Sequence, residues 1–283
     1  MAMFGLFKKK EKTEEKANQS VQAEEMRAFA SQFLSEEMDI LAVTGAGGFI
    51  GGRQEGESLH SGGAALSAWM EADGEEIHKG QFRLLTKADE TLVSYLQQRL
   101  PRDFIIKCRV RPHADGDKFM LVGLPEPGFD PDLKAFLLEQ KKPVTTEVEG
   151  LGTFTFNRGM GVLQKEIDWL GSEVQLCIDP ESDHGSCAAT ALNMLNDMAA
   201  WDEKTRAFAA DKLLEQANEA AAEYEGEEIG REEFMDCLGL ETIDVAASGV
   251  FQFWFNDGGL FGGQFVRISG SVTDGLTDAV MEG

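Results

Sequence analysis

The most conspicuous residues that could do chemistry form a glycine-rich run after the short apolar stretch Ile40–Val43. The run reads T-G-A-G-G-F-I-G and begins at Thr44. Glycines at this spacing let a backbone turn approach a pyrophosphate, provided that a helix begins there and points its first N–H groups at the phosphates. The pattern therefore offers a candidate cofactor site at Gly45, Gly48 and Gly51.

The run resembles the nucleotide-binding turn of extended short-chain dehydrogenases and sugar epimerases. That resemblance implies a helix directly after the turn and a catalytic Tyr-x-x-x-Lys. The chain departs from both, because Tyr95 and Tyr224 are followed four residues later by Arg99 and Glu228, and each glycine in the following segment would cost a helix about 1 kcal/mol. We therefore predict a glycine-rich loop between strands. A nucleotide- or small-molecule-binding enzyme that uses Thr44–Gly52 is the alternative hypothesis.

No other arrangement of reactive side chains predicts a catalytic or metal site. The four histidines lack H-x-x-x-H spacing, and the four cysteines include no C-x-x-C pair. The nearest approach to a ligand cluster is Asp179, Asp183, His184 and Cys187, which we interpret as a loop that caps a helix. We expect no catalytic residue, no metal and no cofactor, and we expect the cysteines to be reduced and buried.

A second glycine-rich segment, Asn256–Gly263, holds two apolar residues among its glycines. A tight hairpin accounts for the glycines, whereas a binding loop accounts for the apolar residues beside them. The candidate interaction residues of this segment and its flanks are Trp254, Asn256, Asp257, Phe261 and Gln264.

The formal net charge of −24 is unevenly distributed along the 283 residues. Residues 1–146 carry 23 acidic and 19 basic side chains, a balance of −4, whereas residues 147–283 carry 27 and 7, a balance of −20. Such a surface repels nucleic-acid phosphates and anionic membranes, and no apolar run reaches the roughly 18 residues of a membrane span. The leading hypothesis is a cytoplasmic, non-enzymatic interaction protein, accessory or immunity-like, that binds a basic protein. We expect no nucleic-acid partner and no stable membrane association.

The order of predicted elements indicates an α+β protein with two domains, each a mainly antiparallel sheet with helices packed on it. We expect a disordered charged tail at residues 1–20, an N-terminal domain at 21–142 and a C-terminal domain at 143–283. Hairpins are predicted at Asp73-Gly74 and around Asp115-Gly116, and Asp130-Pro131 is typical of a helix start. The predicted helices span residues 21–37, 87–100, 131–140, 186–201, 205–224 and 232–238.

Three segments of the C-terminal half carry a family resemblance: Leu151–Phe154, Ile167–Trp169 and the ending Phe253–Gln264. In these segments the chain resembles the bacterial domain of unknown function 2262, over about residues 130–283, with Asp132–Val144 as a lead-in. Members often carry histidine where this chain has Gln264. The resemblance implies an α+β fold and no established activity, substrate or cofactor.

Overall fold

The structure, a computed structural model, describes residues 19–223 and 228–282. The chain divides into two compact units, Met1–Lys142 and Pro143–Gly283, which are described one at a time. Each unit has its own sheet and its own helices, so the α+β prediction with two domains is confirmed. The predicted disordered tail lies outside the described residues except for positions 19 and 20, which are helical.

Over residues 19–142, which the structure describes, the N-terminal unit contains three helices and six strands. In chain order they are α1 (residues 19–30), β1 (Met38–Gly52), β2 (His60–Glu71), β3 (His78–Ala88), α2 (Glu90–Arg99), β4 (Ile105–Pro112), β5 (Lys118–Leu121), β6 (Glu126–Pro127) and α3 (Pro131–Gln140).

Five of these strands close a small barrel. β1 pairs with β2 on one side and with β4 on the other, both antiparallel, while β3 pairs with β2 and, in parallel, with β5, and β5 pairs with β4. Val93 and Leu96 of α2 are buried in the barrel core with Leu66 and Phe119. A parallel β3–β5 pair with a helix between β3 and β4 is the topology of the OB barrel.

Two predictions about the start of this unit were wrong. The predicted first helix, 21–37, ends at residue 30, where the guanidinium of Arg111 donates hydrogen bonds to the carbonyl oxygens of Ala30, Phe33 and Leu34. These bonds satisfy carbonyl groups that a continued helix would have used. The predicted glycine-rich loop after Val43 is also largely strand, because β1 runs on to Gly52.

In its described parts, residues 143–223 and 228–282, the C-terminal unit contains three helices and eight strands, with a 3₁₀ turn at Ala247–Gly249. In chain order they are β7 (Thr145–Val148), β8 (Gly152–Asn157), β9 (Val162–Trp169), β10 (Ser172–Ile178), α4 (His184–Leu195), α5 (Met198–Glu223), α6 (Arg231–Cys237), β11 (Gly239–Val245), β12 (Val250–Asn256), β13 (Phe265–Ser271) and β14 (Gly275–Glu282).

The eight strands form one sheet in the order β14-β13-β12-β11-β10-β9-β8-β7, in which β10 and β11 are parallel and every other neighbouring pair is antiparallel. The three helices connect the two parallel strands. Their apolar sides pack on one face of the sheet, where Phe251, Phe253 and Phe255 of β12 are buried. The opposite face, which we call the polar face, presents Gln252 and Trp254 from β12 and, from strands β9, β10, β11 and β13, Gln164, Gln175, Thr242, Asp244, Arg267 and Ser269.

Two further differences from the sequence predictions concern this unit. The long predicted helix 186–201 ends at Leu195, and the next helix begins at Met198. Strand β14 was missed altogether. It lies at the edge of the sheet with Thr277 and Asp278 exposed, so its residues lack the apolar alternation by which a half-buried strand is recognised.

Candidate functional site

The glycine-rich run is a bend in a barrel strand. The pairing of β1 with β2 shifts register between Val43 and Thr44 and again between Thr44 and Phe49, and Gly48 has a positive φ of 76°. Buried Thr44 holds the bend, because its hydroxyl donates to the carbonyl oxygen of Pro101 at 2.7 Å and accepts the N–H of Phe104 at 3.0 Å. Register shifts of this kind bend and twist a strand, which a closed barrel requires.

Several of these glycines are required by packing. A β-carbon on Gly51 would collide with Cγ1 of Val93 in α2, and one on Gly62 would lie 2.6 Å from the ring of Phe49. No helix begins between residues 44 and 63, all of which the structure describes. The alternative hypothesis placed a pyrophosphate at Gly45, Gly48 and Gly51. It thereby loses its structural basis, because the helix N-terminus that would bind the phosphates is missing.

The face on which OB barrels bind ligands, across strands 2 and 3, is partly covered here. Leu133 of α3 is fully buried against the outward side chains of β1 and β2, which include Val43 and Met70. Helix α3 is fixed by Asp130, whose carboxylate accepts the N–H groups of Asp132 and Leu133. A barrel topology does not assign a function by itself. In this barrel, helix α3 covers part of the outer face.

The loop after β12 is organised by one carboxylate. Asp257 is 3% exposed, and it accepts hydrogen bonds from the backbone N–H groups of Gly259, Phe261, Gly263 and Gln264 at 2.8–3.2 Å. Burial by itself raises the pKa of Asp257, but the four donors together outweigh it, so that the pKa is lowered. Asp257 therefore shapes the loop from inside.

The five candidate interaction residues do not share one surface. Trp254 and Asn256 point to the polar face, where Asn256 donates to Glu241. Asp257 is buried, and Phe261 lies on the other side of the sheet, 6.4 Å from the ring of Phe234 in α6. Gln264 contributes to a groove beside α5. The sequence grouped these residues because they are adjacent in the chain, whereas strand alternation separates them.

That groove lies between the C-terminal half of α5 and the loop. Its volume is about 580 Å³. Its lining is mostly apolar and comprises Ala217, Ala220, Ala221, Ile229, Gly259, Leu260, Phe261, Gly262, Gln264 and Met281.

Helices α5 and α6 form an acidic surface next to the groove. They are joined by paired hydrogen bonds between Asn218 and Ile229 and by the ion pair of Arg231 with Asp211. The exposed carboxylates on the two helices are Glu203, Asp211, Glu215, Glu219, Glu232, Glu233 and Asp236, against exposed Lys204, Lys212 and Arg231.

A second cleft, which sequence reasoning missed, lies where the parallel strands β10 and β11 end. It has a volume of about 360 Å³ and is lined by Cys177, Ile178 and Asp179 from the end of β10, by Asp244, Val245 and Ala246 from the end of β11, and by Met160, Gly161, Val162, Val250, Phe251 and Gln252. The carboxyl ends of parallel strands are a common place for ligands, because the chain diverges there to reach the crossover.

Asp244 is one of the residues that line this cleft. The indole N–H of Trp254 donates a 2.7 Å hydrogen bond to its carboxylate, and the Cys177 thiol is a second partner. Burial nevertheless raises the pKa of Asp244, and no basic side chain of the described residues lies within 4.0 Å of it. The sequence signal was the alternation Ile243-Asp244-Val245, in which an acidic residue stands in a strand between two buried apolar ones.

The cysteines are free, and three of them are buried. Burial raises the pKa of Cys108 and of Cys177 to about 12, and it raises that of Cys187 as well. A thiol reacts as the thiolate, so these three side chains are poor nucleophiles. The prediction of buried, unpaired cysteines holds for them, whereas Cys237 is partly exposed.

Of the possible metal ligands in residues 19–223 and 228–282, three come together at His113, Asp115 and Asp117. The two aspartates are exposed, and Nδ1 of His113 accepts the N–H of Asp115 at 3.2 Å. Exposed acidic groups of this kind are ordinary in a turn. Within the described residues, the side chains of Asp179, His184 and Cys187 do not come together in such a group.

Comparison with known protein families divides the chain as the fold does. Residues 148–281 match the family model described as an uncharacterized protein conserved in bacteria, DUF2262. The resemblance seen in the sequence is thus confirmed for the C-terminal half. Residues 25–140 match a second model, the domain of unknown function DUF7021. The expected lead-in at Asp132–Val144 is therefore not part of the DUF2262 match, and its helix α3 belongs to the N-terminal unit.

No significant match was found among curated proteins or among solved structures. None of the described helices combines the length and the apolar composition needed to cross a membrane.

Proposed function

We propose that this protein is a non-enzymatic interaction module whose DUF2262 unit binds a basic protein segment through helices α5 and α6 and the adjoining groove. The observation that carries the proposal is the surplus of exposed carboxylates on these helices. Among the side chains that the structure describes on these helices, seven exposed ones are acidic and three are basic, and Arg231 is already paired with Asp211. The two lysines lie over aromatic rings of their own helix, Lys204 over Trp201 and Lys212 over Phe208.

The groove next to the acidic surface provides an apolar binding site. An amphipathic helix binds by placing apolar side chains in a groove, with its polar side chains at the rim. Here the groove is walled by Ala217, Ala221 and Leu260, and Glu219 lies exposed on the same stretch of α5. A segment with an apolar stripe flanked by lysine or arginine fits both features, because complementary charge guides association and apolar burial slows release.

The test begins with affinity capture from cells and continues with binding measurements on each captured partner at low and high salt. A variant with Glu215→Gln and Glu219→Gln should lose affinity and salt dependence. Phe261→Ala should lose affinity while keeping the salt dependence, since it alters only the apolar wall. The control is Glu166→Gln with Glu173→Gln, which removes the same charge from exposed positions on β9 and β10.

A partner that binds the helix variant and the control equally would contradict the proposal. So would an affinity that does not change with ionic strength, because exposed charge pairs are screened by salt.

A further inference from the structure

The cleft at the ends of β10 and β11 has chemistry that the interaction surface on α5 and α6 does not use. It belongs to the same unit but is lined by residues of strands β9 to β12 and by the turns beside them. Asp244 and Asp179 are both among its lining residues, and Asp179 follows directly after β10. We infer that this cleft binds a small organic cation, a protonated amine or a guanidinium group attached to an apolar frame.

The sign of the ligand's charge follows from the lining. Two carboxylates and no lysine, arginine or histidine line the cleft. An anionic ligand would meet like charge, which is unfavourable in a partly buried site. A cationic nitrogen would give Asp244 the opposite charge that it lacks among the described residues.

The hydrogen-bond partners of Asp244 are neutral and leave its negative charge uncompensated, which favours a cationic ligand that donates to it. Trp254 and Cys177 contribute donors to this carboxylate, and Gln252 is its cross-strand neighbour on β12. These neutral groups orient the carboxylate without neutralising it. Burial disfavours the ionised form of Asp244, and a bound cation would offset that cost.

The apolar residues that line the cleft determine which molecular frame can accompany the cationic nitrogen. Val162 and Val250, which lie on the same face as Asp244, line the cleft together with Met160. Most small-molecule sites combine apolar walls with a few convergent polar groups. A ligand with a short aliphatic or aromatic frame next to its cationic nitrogen would cover these side chains.

A bare metal ion fits the cleft less well. Metal ligation needs several donor atoms within reach of one ion, and within the described ranges the atoms of Asp244, Asp179 and Cys177 do not form such a group. The thiol of Cys177 is also held protonated, because burial raises its pKa to about 12. An organic cation needs only one carboxylate at hydrogen-bond distance.

The test uses the indole N–H signal of Trp254 in a nuclear magnetic resonance titration of the full chain. The protein has four tryptophans, and Trp254→Phe identifies the signal by removing it. Phenethylamine should shift this signal in a saturable way. Phenethyl alcohol and phenylacetate, which keep the frame but lack the cation, should bind at least about tenfold more weakly.

Two variants separate the carboxylate from the cavity. Asp244→Asn should weaken phenethylamine binding about tenfold or more, whereas Asp278→Asn, which removes an exposed charge from β14 on the same face, should not. Val250→Phe keeps the carboxylate but narrows the cleft, and it should also weaken binding. The remaining signals of each variant show whether it is folded.

Several results would overturn the inference. They are the absence of a saturable shift with phenethylamine, equal binding of the alcohol, equal effects of Asp244→Asn and Asp278→Asn, and a response to magnesium but not to the amine. An unchanged affinity in Val250→Phe would place the amine outside the cleft and would overturn it as well.

Discussion

The indole N–H of Trp254 donates a 2.7 Å hydrogen bond to the carboxylate of Asp244 on the neighbouring strand. This bond joins β12 to β11 on the polar face and directs the carboxylate towards the cleft at the end of β11. The neighbours of Asp244 are an indole, a thiol and an amide rather than a cation. In such surroundings a carboxylate stabilises the fold less than an asparagine would. Binding of a cationic ligand to the carboxylate would offset this loss of stability.

We therefore expect Asp244→Asn to stabilise the unliganded protein at neutral pH. The pKa of Asp244 is raised in the folded state above 3.8, so its ionisation opposes folding at any pH above that folded-state pKa, and the cost is absent below the unfolded value. Asparagine keeps the oxygen that accepts from Trp254. Urea unfolding should give the variant the higher free energy of unfolding at about pH 7, with the difference vanishing at about pH 3. A variant that is less stable at the higher pH would contradict this account.

We expect Asp257→Ala to destabilise the C-terminal unit by about 2–3 kcal/mol, because it removes the acceptor of four backbone N–H groups that shape the loop. The stability of Asp257→Asn should lie between those of Asp257→Ala and the wild type, because asparagine keeps only one of the two side-chain oxygens that accept these hydrogen bonds. The pKa of Asp257 is lowered in the folded state, so the stabilisation is complete above the unfolded value of 3.8 and is lost as the pH falls through the folded one. The loss measured by urea unfolding should therefore shrink in acid, and equal losses at neutral and acidic pH would refute this role for the carboxylate.

We expect Gly51→Ala to destabilise the N-terminal unit by about 1–3 kcal/mol, because the new methyl group would overlap Val93 of α2 and overpack the core. The matched control is the next residue. A β-carbon on Gly52 would meet no atom within 4 Å, so Gly52→Ala should stay within about 0.5 kcal/mol of the wild type. Chemical unfolding measures both. Equal losses for the two variants would mean that the glycines serve strand flexibility rather than helix packing.

We expect Glu25→Ala to loosen α1 from the barrel. The Glu25 carboxylate accepts the N–H groups of Ser58 and Leu59 and the hydroxyl of Ser58, and it lies 3.9 Å from Nζ of Lys87. Without it, amide hydrogen exchange should become faster in residues 19–30. Exchange in Glu24→Ala, which alters the exposed neighbouring residue, should match the wild type. If both variants exchange alike, another contact holds the helix.

Much of the fold could be predicted because local patterns decide it. Helix α3 begins where Asp130-Pro131 predicted it, and the hairpin predicted at Asp73-Gly74 joins the antiparallel strands β2 and β3. The helix predicted at residues 87–100 is α2, Glu90–Arg99. These features depend on residues a few positions apart, so no distant contact had to be known.

The errors have the opposite origin. The segment after Val43 is rich in glycine, a residue that weakens both helices and strands in isolation. It is nevertheless a strand, because β2 pairs with it at Thr44 and Phe49–Gly52 and because Phe49 and Val93 fill the space that side chains would have taken. A loop and a tightly packed strand can share one composition, and only the neighbours distinguish them.

By itself the sequence determined the class of fold, the positions of most elements and the strong acidity of the C-terminal half, since these depend on composition and short-range periodicity. Only the tertiary structure decided which side chains meet. It separated Trp254 from Phe261, brought Asp244 beside Cys177 through the parallel pairing of β10 and β11, and placed Gly51 under Val93. Such contacts join residues far apart in the chain, and a linear pattern contains no measure of that distance.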